Sequence, residues 1–339
     1  MKYDFITVGG ATRDISFFTD QGVLIDNRRD VLRQELLAFE YGAKIKVDKF
    51  YYSFGGGAAN SAVCLANFGF RTACLAAIGT DEGGRLIVAN LKNRNIDTRL
   101  LSVIKGTESG TSFILVAPTG ERVIFGSRGA NRSLTIDGPQ LKALRAARNI
   151  HIASLSGDWE NKLKKVFSVC ASVGTGQSRP QISWNPGTTQ CRAGLKKIAA
   201  FLKKTTIFAL NKDEAIELVL SSAEHRRLGR AVLNDTDNLL KIIKSFGPKI
   251  VMITMGQSGV KVYDGQQIYY QPIKQESRRV DTTGVGDVFN STFAAGLVLF
   301  DGDINRALRL SVRNAAAKVA HLGAQDGLLK TVGKKRPKN

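Results

Sequence analysis

Downstream of residue 141 the sequence alternates short apolar runs with amphipathic ones, and few folds tolerate that rhythm. Residues 150–155, 181–185, 207–211 and 249–255 are short and largely apolar, the mark of buried strands. Residues 141–147, 162–172, 213–220 and 237–246 place apolar side chains three and four apart, as one face of a helix requires. Strands joined through helices lie parallel, because each crossover returns the chain to the same end of the sheet. The expected fold is α/β: a doubly wound, mostly parallel sheet with helices on both faces.

The first half interrupts this rhythm. Residues 5–10 read as a strand ending in glycines, 58–68 as a small-residue helix closed by Gly69, 72–78 as a strand and 86–93 as a helix. Around them, 29–41 reads as a helix and 43–53 alternates like a strand. Residues 111–116 and 122–125 flank the turn Pro118-Thr119-Gly120 as a hairpin. Strands outside the parallel layer point to a small β lid, formed by about 12–54 and 98–128, on a single domain covering 1–332. A second hairpin is expected at 260–263 with 267–270, and two closing helices at 288–299 and 304–321. Residues 333–339 form a basic tail expected to be disordered.

At 339 residues, 43% hydrophobic and 23% charged, the chain can bury a sizeable core. No apolar run nears the ~20 residues that cross a bilayer. The first residues enter a strand without a signal-peptide pattern, so a cytoplasmic location and no membrane partner are expected. Cys64, Cys74, Cys170 and Cys191 lack paired spacing, and His151, His225 and His321 are isolated. That argues against a zinc motif and a disulfide framework. The net charge of +20 is spread along the chain, clustering only at Lys334-Lys335-Arg336-Pro337-Lys338. Without a nucleic-acid motif beside it, this charge fits general attraction of anionic substrates, and no nucleic-acid partner is expected.

Asp281-Thr282-Thr283-Gly284-Val285-Gly286-Asp287 leads into a run of small and apolar residues. Glycines let backbone N–H groups turn toward one point, and the amino end of the following helix adds partial positive charge. The segment makes an anion hole with a carboxylate beside it. A base so placed can take the proton of an alcohol while amides hold a phosphoryl group in flight. A capped helix after a glycine turn would use the same aspartate. Two acids, two threonines and two glycines in seven residues exceed what a cap needs. Phe54-Gly55-Gly56-Gly57-Ala58-Ala59-Asn60 opens another helix, with glycines for close backbone approach and an amide that both donates and accepts. It lacks the third glycine of a dinucleotide fingerprint and the Lys-Ser/Thr of a Walker A loop.

Together the two segments resemble the paired signatures of the PfkB, or ribokinase-like, carbohydrate kinase family. D-T-T-G-V-G-D is similar to the family's D-T-x-G-A-G-D, with Val285 in place of alanine and its amide unchanged. The resemblance implies a ribokinase-like fold, with Asp287 as catalytic base and the amides of Gly284, Val285 and Gly286 as anion hole. It assigns Gly56, Gly57 and Asn60 to the hydroxyls of a sugar, with Asp14 after the first strand and Asn131 of Gly129-Ala130-Asn131. Thr12 stands where ribokinases proper carry an asparagine. Asn211-Lys212-Asp213-Glu214 resembles the family's N-x-x-E, which implies Asn211 near the nucleotide phosphates and Glu214 toward magnesium. Read alone, the same residues fit a helix cap equally well. Thr254, Gly256 and Gly259 match a T-x-G-x-x-G nucleotide loop, and Asn314 matches an asparagine near adenine.

The resemblance implies transfer of the ATP γ-phosphate to a sugar hydroxyl, with Mg²⁺, a monovalent cation such as K⁺, and a homodimer paired through the lid. A nucleoside kinase of the same family, adenosine-like, is the alternative. A catalytically idle, basic nucleic-acid-binding protein is the distant one, and the intact Asp287 with its glycines argues against it.

Overall fold

The computed structural model describes residues 2–27, 35–47, 49–116, 122–169, 179–274 and 279–330. Its centre is an eight-stranded sheet. In spatial order the strands are Ile268–Gln271, Val260–Tyr263, Ile250–Thr254, Ile207–Asn211, Gln181–Trp184, Asn149–Ile152, Phe5–Val8 and Thr72–Leu75. The last six run parallel, and the hairpin of the first two adds an antiparallel edge. Interior strands read as largely apolar runs because both faces are covered, and both Phe5–Val8 and the edge strand Thr72–Leu75 are buried at every position. One apolar core gathers Phe167, Trp184, Phe201 and Phe208, and another Phe5, Phe70, Phe289 and Phe293.

From Phe5–Val8 the chain moves outward to Thr72–Leu75, and later resumes on the other side at Asn149–Ile152. Such a switch of direction leaves a crevice at the carboxyl ends of the strands, the usual ligand site of open α/β sheets. Gly9 and Ala153 follow those two strands, and a Cβ on Gly9 would lie 3.1 Å from that of Ala153.

A second sheet lies at this crevice, ordered Arg122–Ser127, Gly110–Val116, Thr12–Phe18 and Lys49–Gly55. Strand alternation sorts its side chains onto two faces. Ser53, Asp14 and Ser112 form one row in register, and Tyr51, Ser16 and Ile114 the next on the same face. The opposite face carries Tyr52, Ile15, Phe113 and Phe125, then Phe50, Phe17, Leu115 and Val123.

Three segments depart from the sequence reading. Of the helix expected at 29–41, residues 35–38 form a strand paired with Val23–Asp26, and 29–34 lie outside the described residues. A pairing partner upstream overrides local helical spacing there. The strand expected at 72–78 divides at Ala76. Thr72–Leu75 stays in the main sheet, while Ala77–Gly79 pairs in parallel with Ser102–Ile104, and the Ala76 carbonyl accepts the Ser102 N–H at 2.9 Å. Helix Gly187–Ala193 carries glycine and threonines at its start, which weakens the local signal, and Gly194 separates it from the short helix Leu195–Leu202; burial of Cys191, Ile198 and Leu202 holds them. The turn at 118–120 and the tail at 333–339 lie outside the described residues. Among the described residues no helix is long and apolar enough to cross a membrane.

Candidate active site

Helix Val285–Leu299 starts at the crevice. Gly284 turns the chain into it at φ 73°, and a Cβ there would meet that of Ala324 at 2.6 Å, so only glycine fits. Asp281 holds the preceding loop. Its Oδ1 accepts the Thr283 N–H at 2.7 Å and its Oδ2 the Gly323 N–H at 2.8 Å. The first N–H groups of a helix have no carbonyl within it to serve. No described side chain caps this one, and nothing lies within 4 Å of where a Gly286 Cβ would be.

Asp287 sits in that first turn. Asn60 donates from Nδ2 to its Oδ2 at 2.9 Å, and Asn60 Oδ1 accepts from Gln325 Nε2 at 3.1 Å. Gln325 Oε1 in turn accepts from Asn90 Nδ2 at 2.8 Å. Arg94 donates to Asn90, to the Gln325 carbonyl and to Asp326, and Asp326 also accepts the Tyr51 hydroxyl of the second sheet at 3.0 Å. One carboxylate oxygen of Asp287 is thus fixed by a relay of amides. The other, Oδ1, lies 3.1 Å from where a Cβ on Gly57 would stand. Burial pushes the Asp287 carboxyl above its ordinary pKa, the Asn60 bond opposes this, and the charge of Asp14 adds to the rise. A carboxylate moved toward neutrality is a better proton acceptor for an alcohol.

Asp14 is buried, accepts the Thr12 hydroxyl at 2.8 Å and is bonded by Ser112. Burial raises its pKa as well; the two hydroxyls oppose this and the charge of Asp281 adds to it. Beside it in register, the buried Ser53 hydroxyl has no partner among the described residues. An acid and a spare hydroxyl on one face suit a ligand with several O–H groups.

On the other side of Asp287 lies a cavity of about 460 Å³. Thr254, Gly256 and Gly259 line it, with Thr282, Val285 and Gly286 at the helix start and Val312, Ala315, Ala316 and Val319 from helix Ile304–Val319. Lys274 and Arg279 add positive charge to its wall, and among the described residues no acid lines it. The volume falls within the roughly 300–1,000 Å³ of small-molecule sites.

The structure therefore gathers Asp14, Gly56, Gly57, Asn60 and Asp287 at the crevice, and Thr254, Gly256, Gly259, Val285 and Gly286 at the adjoining cavity. Four expected ligands are hydrogen-bonded within the protein. Asn314 is fully buried; it donates to Thr292 at 2.8 Å and accepts the Leu329 N–H at 2.7 Å, while its neighbours Ala315 and Ala316 face the cavity. Asn131 clasps Ala11 by both its N–H (3.1 Å) and its carbonyl (2.8 Å), which fixes the entry to the Asp14 strand. Asn211 and Glu214 form a capping box on helix Lys212–Leu220, with bonds of 2.8 and 3.1 Å. Glu214 is buried and also bonded by Thr188, so its carboxylate does not fit a direct metal ligand. Among the described residues no three His, Cys, Asp or Glu side chains are grouped to hold a metal.

Sequence reasoning missed Gln325, Arg122 and Lys318. Arg122, on the Asp14 face of the second sheet, reaches Thr282 of the catalytic loop. Only Lys318 left a signal. It follows Ser311 and Asn314 along the buried stripe of helix Ile304–Val319, where a lysine is out of place.

Comparison with known proteins identifies the family. Residues 25–331 match the pfkB family carbohydrate kinase. An uncharacterized sugar kinase of Archaeoglobus fulgidus is 29% identical over 273 residues, covering 79% of this chain and 99% of its own. Ribokinase of Bacillus subtilis is 30% identical over 276 residues, covering 81% of this chain and 84% of its own. The structure of Arabidopsis thaliana ribokinase complexed with ribose and ATP superposes with a TM-score of 0.76 over 97% of this chain and 96% of that one; at 19% identity, that likeness is one of fold.

Proposed function

The chain belongs to the pfkB family of carbohydrate kinases, and from that premise we propose that it transfers the γ-phosphate of MgATP to a primary hydroxyl of a small sugar, with Asp287 as general base. One observation carries the proposal: a single carboxylate, aimed by Asn60, stands between a free helix amino end and the acid of the second sheet. The nucleotide base would lie against the apolar wall of Val312, Ala315 and Val319, with its phosphates toward Thr254, Gly256 and the Gly284–Gly286 amides. The sugar would lie under the second sheet, its hydroxyls on Asp14, Ser53 and the backbone at Gly56 and Gly57.

Asp287 Oδ1 takes the hydroxyl proton as the oxygen attacks in line. The helix amides, with Arg122 delivered by the second sheet, meet the charge on the phosphoryl oxygens. Mg²⁺ belongs to the substrate here, held on the phosphates and its own waters, since among the described residues no carboxylate lines the cavity. The second sheet acts as a lid whose closure excludes water and limits idle ATP hydrolysis. Its outer face exposes Phe50 (62%), Tyr52 (61%) and Phe125 (57%), an apolar patch suited to pairing two copies of the chain. A monomer in light scattering would reject that pairing.

The deciding experiment is a coupled ADP-release screen over pentoses, hexoses and nucleosides. Turnover of a sugar is expected. Faster turnover of a nucleoside would move the acceptor to that class, and no ADP release with any acceptor would sink the reading.

A further inference from the structure

Lys318 has no exposed surface, although it belongs to a helix that borders the cavity. Its Nζ donates to the Asp281 carbonyl at 2.7 Å and lies 3.8 Å from the Asp281 carboxylate. A buried charge is unfavourable unless paired and hydrogen-bonded, and an apolar side chain at such a site is often as stable or more so. The position therefore points to a need for the charge itself. Burial lowers the Lys318 pKa to about 8, Asp281 and more weakly Asp326 raise it, and Arg122 lowers it further. Asp281 is held below the usual carboxylate range: burial works against this, but the Lys318 charge and the bonds from Thr283 and Gly323 prevail.

The family likeness implies a monovalent cation. A cation that organised the anion-hole loop would need that loop's own oxygens, and Asp281 supplies the acid at its start. Each of the three Asp281 oxygens already has a donor. Thr283 N–H is on Oδ1, Gly323 N–H on Oδ2 and the Lys318 ammonium on the carbonyl. The residues present do not fit an exchangeable ion there, because a tethered one fills the role.

We infer that Lys318 is a built-in monovalent cation that organises the loop 281–287, so the anion hole assembles without K⁺. An ammonium and K⁺ carry the same charge and are both met by carbonyl and carboxylate oxygens. A tethered ammonium differs in being present whatever the salt. Lys318 touches neither nucleotide nor acceptor, so it is a positioning residue. Only the kinetic half of its test rests on the proposed kinase activity.

The test compares tetramethylammonium chloride with KCl and NH₄Cl at constant ionic strength. The full-length wild type is expected to melt at the same temperature in all three salts, and to turn over at the same rate. Lys318→Ala, which vacates the ammonium's place, is expected to melt lower in tetramethylammonium and to be raised selectively by K⁺ or NH₄⁺. Its kcat is expected to fall on the order of 10²-fold, as for a misplaced catalytic group, with recovery in K⁺ or NH₄⁺. Lys318→Met keeps the bulk without the charge and is expected to show the loss without the recovery. A wild type stabilised or activated severalfold by K⁺ would overturn the inference, as would a Lys318→Ala variant that matches wild type in tetramethylammonium. The wild-type comparison decides even if both variants fail to fold. If no acceptor is phosphorylated, the kinase reading fails while melting still judges Lys318.

Discussion

At residues 55–57 each glycine is there because another part of the protein occupies the space. A Cβ would lie 2.0 Å from Asp14 Oδ2 at Gly55, 2.5 Å from the Gly10 carbonyl oxygen at Gly56, and 2.6 Å from the Ala153 Cβ at Gly57. At residues 284–286 the first glycine is fixed by a left-handed backbone and by Ala324, but the second meets nothing within 4 Å. The first run is a joint where backbone segments converge on Asp14. The second is an opening at a helix start that no described side chain caps. Two glycine runs of similar appearance thus conserve space for different occupants, the protein in one case and a ligand in the other. Asp287 lies where they meet.

The largest expected effect comes at that meeting point. Asp287→Asn should lower kcat by roughly 10²–10⁴, the share of a general base, in an ADP-release assay. It should also raise the melting temperature at neutral pH. The Asp287 pKa is higher folded than unfolded, so the folded chain holds that proton more tightly. Ionising the group therefore costs stability, a cost absent below the unfolded carboxylate range and complete above the folded pKa. The amide removes it. Activity within tenfold of wild type would take Asp287 out of the mechanism.

The next effect separates the two runs. Gly56→Ala, at φ 88° and against the Gly10 carbonyl, should cost about 3 kcal/mol or more in denaturant unfolding. Gly286→Ala should leave stability within about 0.5–1 kcal/mol, with helix propensity in its favour. Its methyl group faces the cavity, so the KM for ATP should rise with little change in unfolding. The reverse pattern would destroy the distinction between joint and opening.

A smaller effect sharpens how the joint aims the base. Gln325→Leu should lower kcat roughly tenfold by releasing Asn60. Asn60→Leu removes the bond that lowers the Asp287 pKa, so the acid limb of kcat/KM should move to higher pH, activity falling as pH drops through it. An unmoved limb would deny Asn60 its part in setting the base. The smallest effect is expected at Glu214→Gln, in neither run. It should cost about 1 kcal/mol or less as a weakened cap and leave the Mg²⁺ dependence unchanged.

These contrasts explain what was legible in the sequence. The helix and its acid were legible, although the helix expected from 288 begins at 285, because a helix amino end and its first-turn carboxylate belong to one contiguous segment. Asn131, Asn211, Glu214 and Asn314 show the opposite case. A local pattern names a polar residue but not its partner, and all four find partners within the protein. Arg122 and Gln325 left no local trace, because each acts on a residue far along the chain.

By itself the sequence determined the parallel strand–helix rhythm, the two glycine runs and the placement of Asp287 at a helix start. These follow from periodicity and backbone freedom, which act over a few residues. Only the tertiary structure decided which polar groups are satisfied internally and which remain for a ligand. Asn60 and Asp287 stand 227 residues apart in the chain, yet the relay that orients the base passes through their bond. Hydrogen-bond and charge satisfaction are properties of space, and so the aiming of Asp287 and the burial of Lys318 appear only once the helices have packed on the sheet.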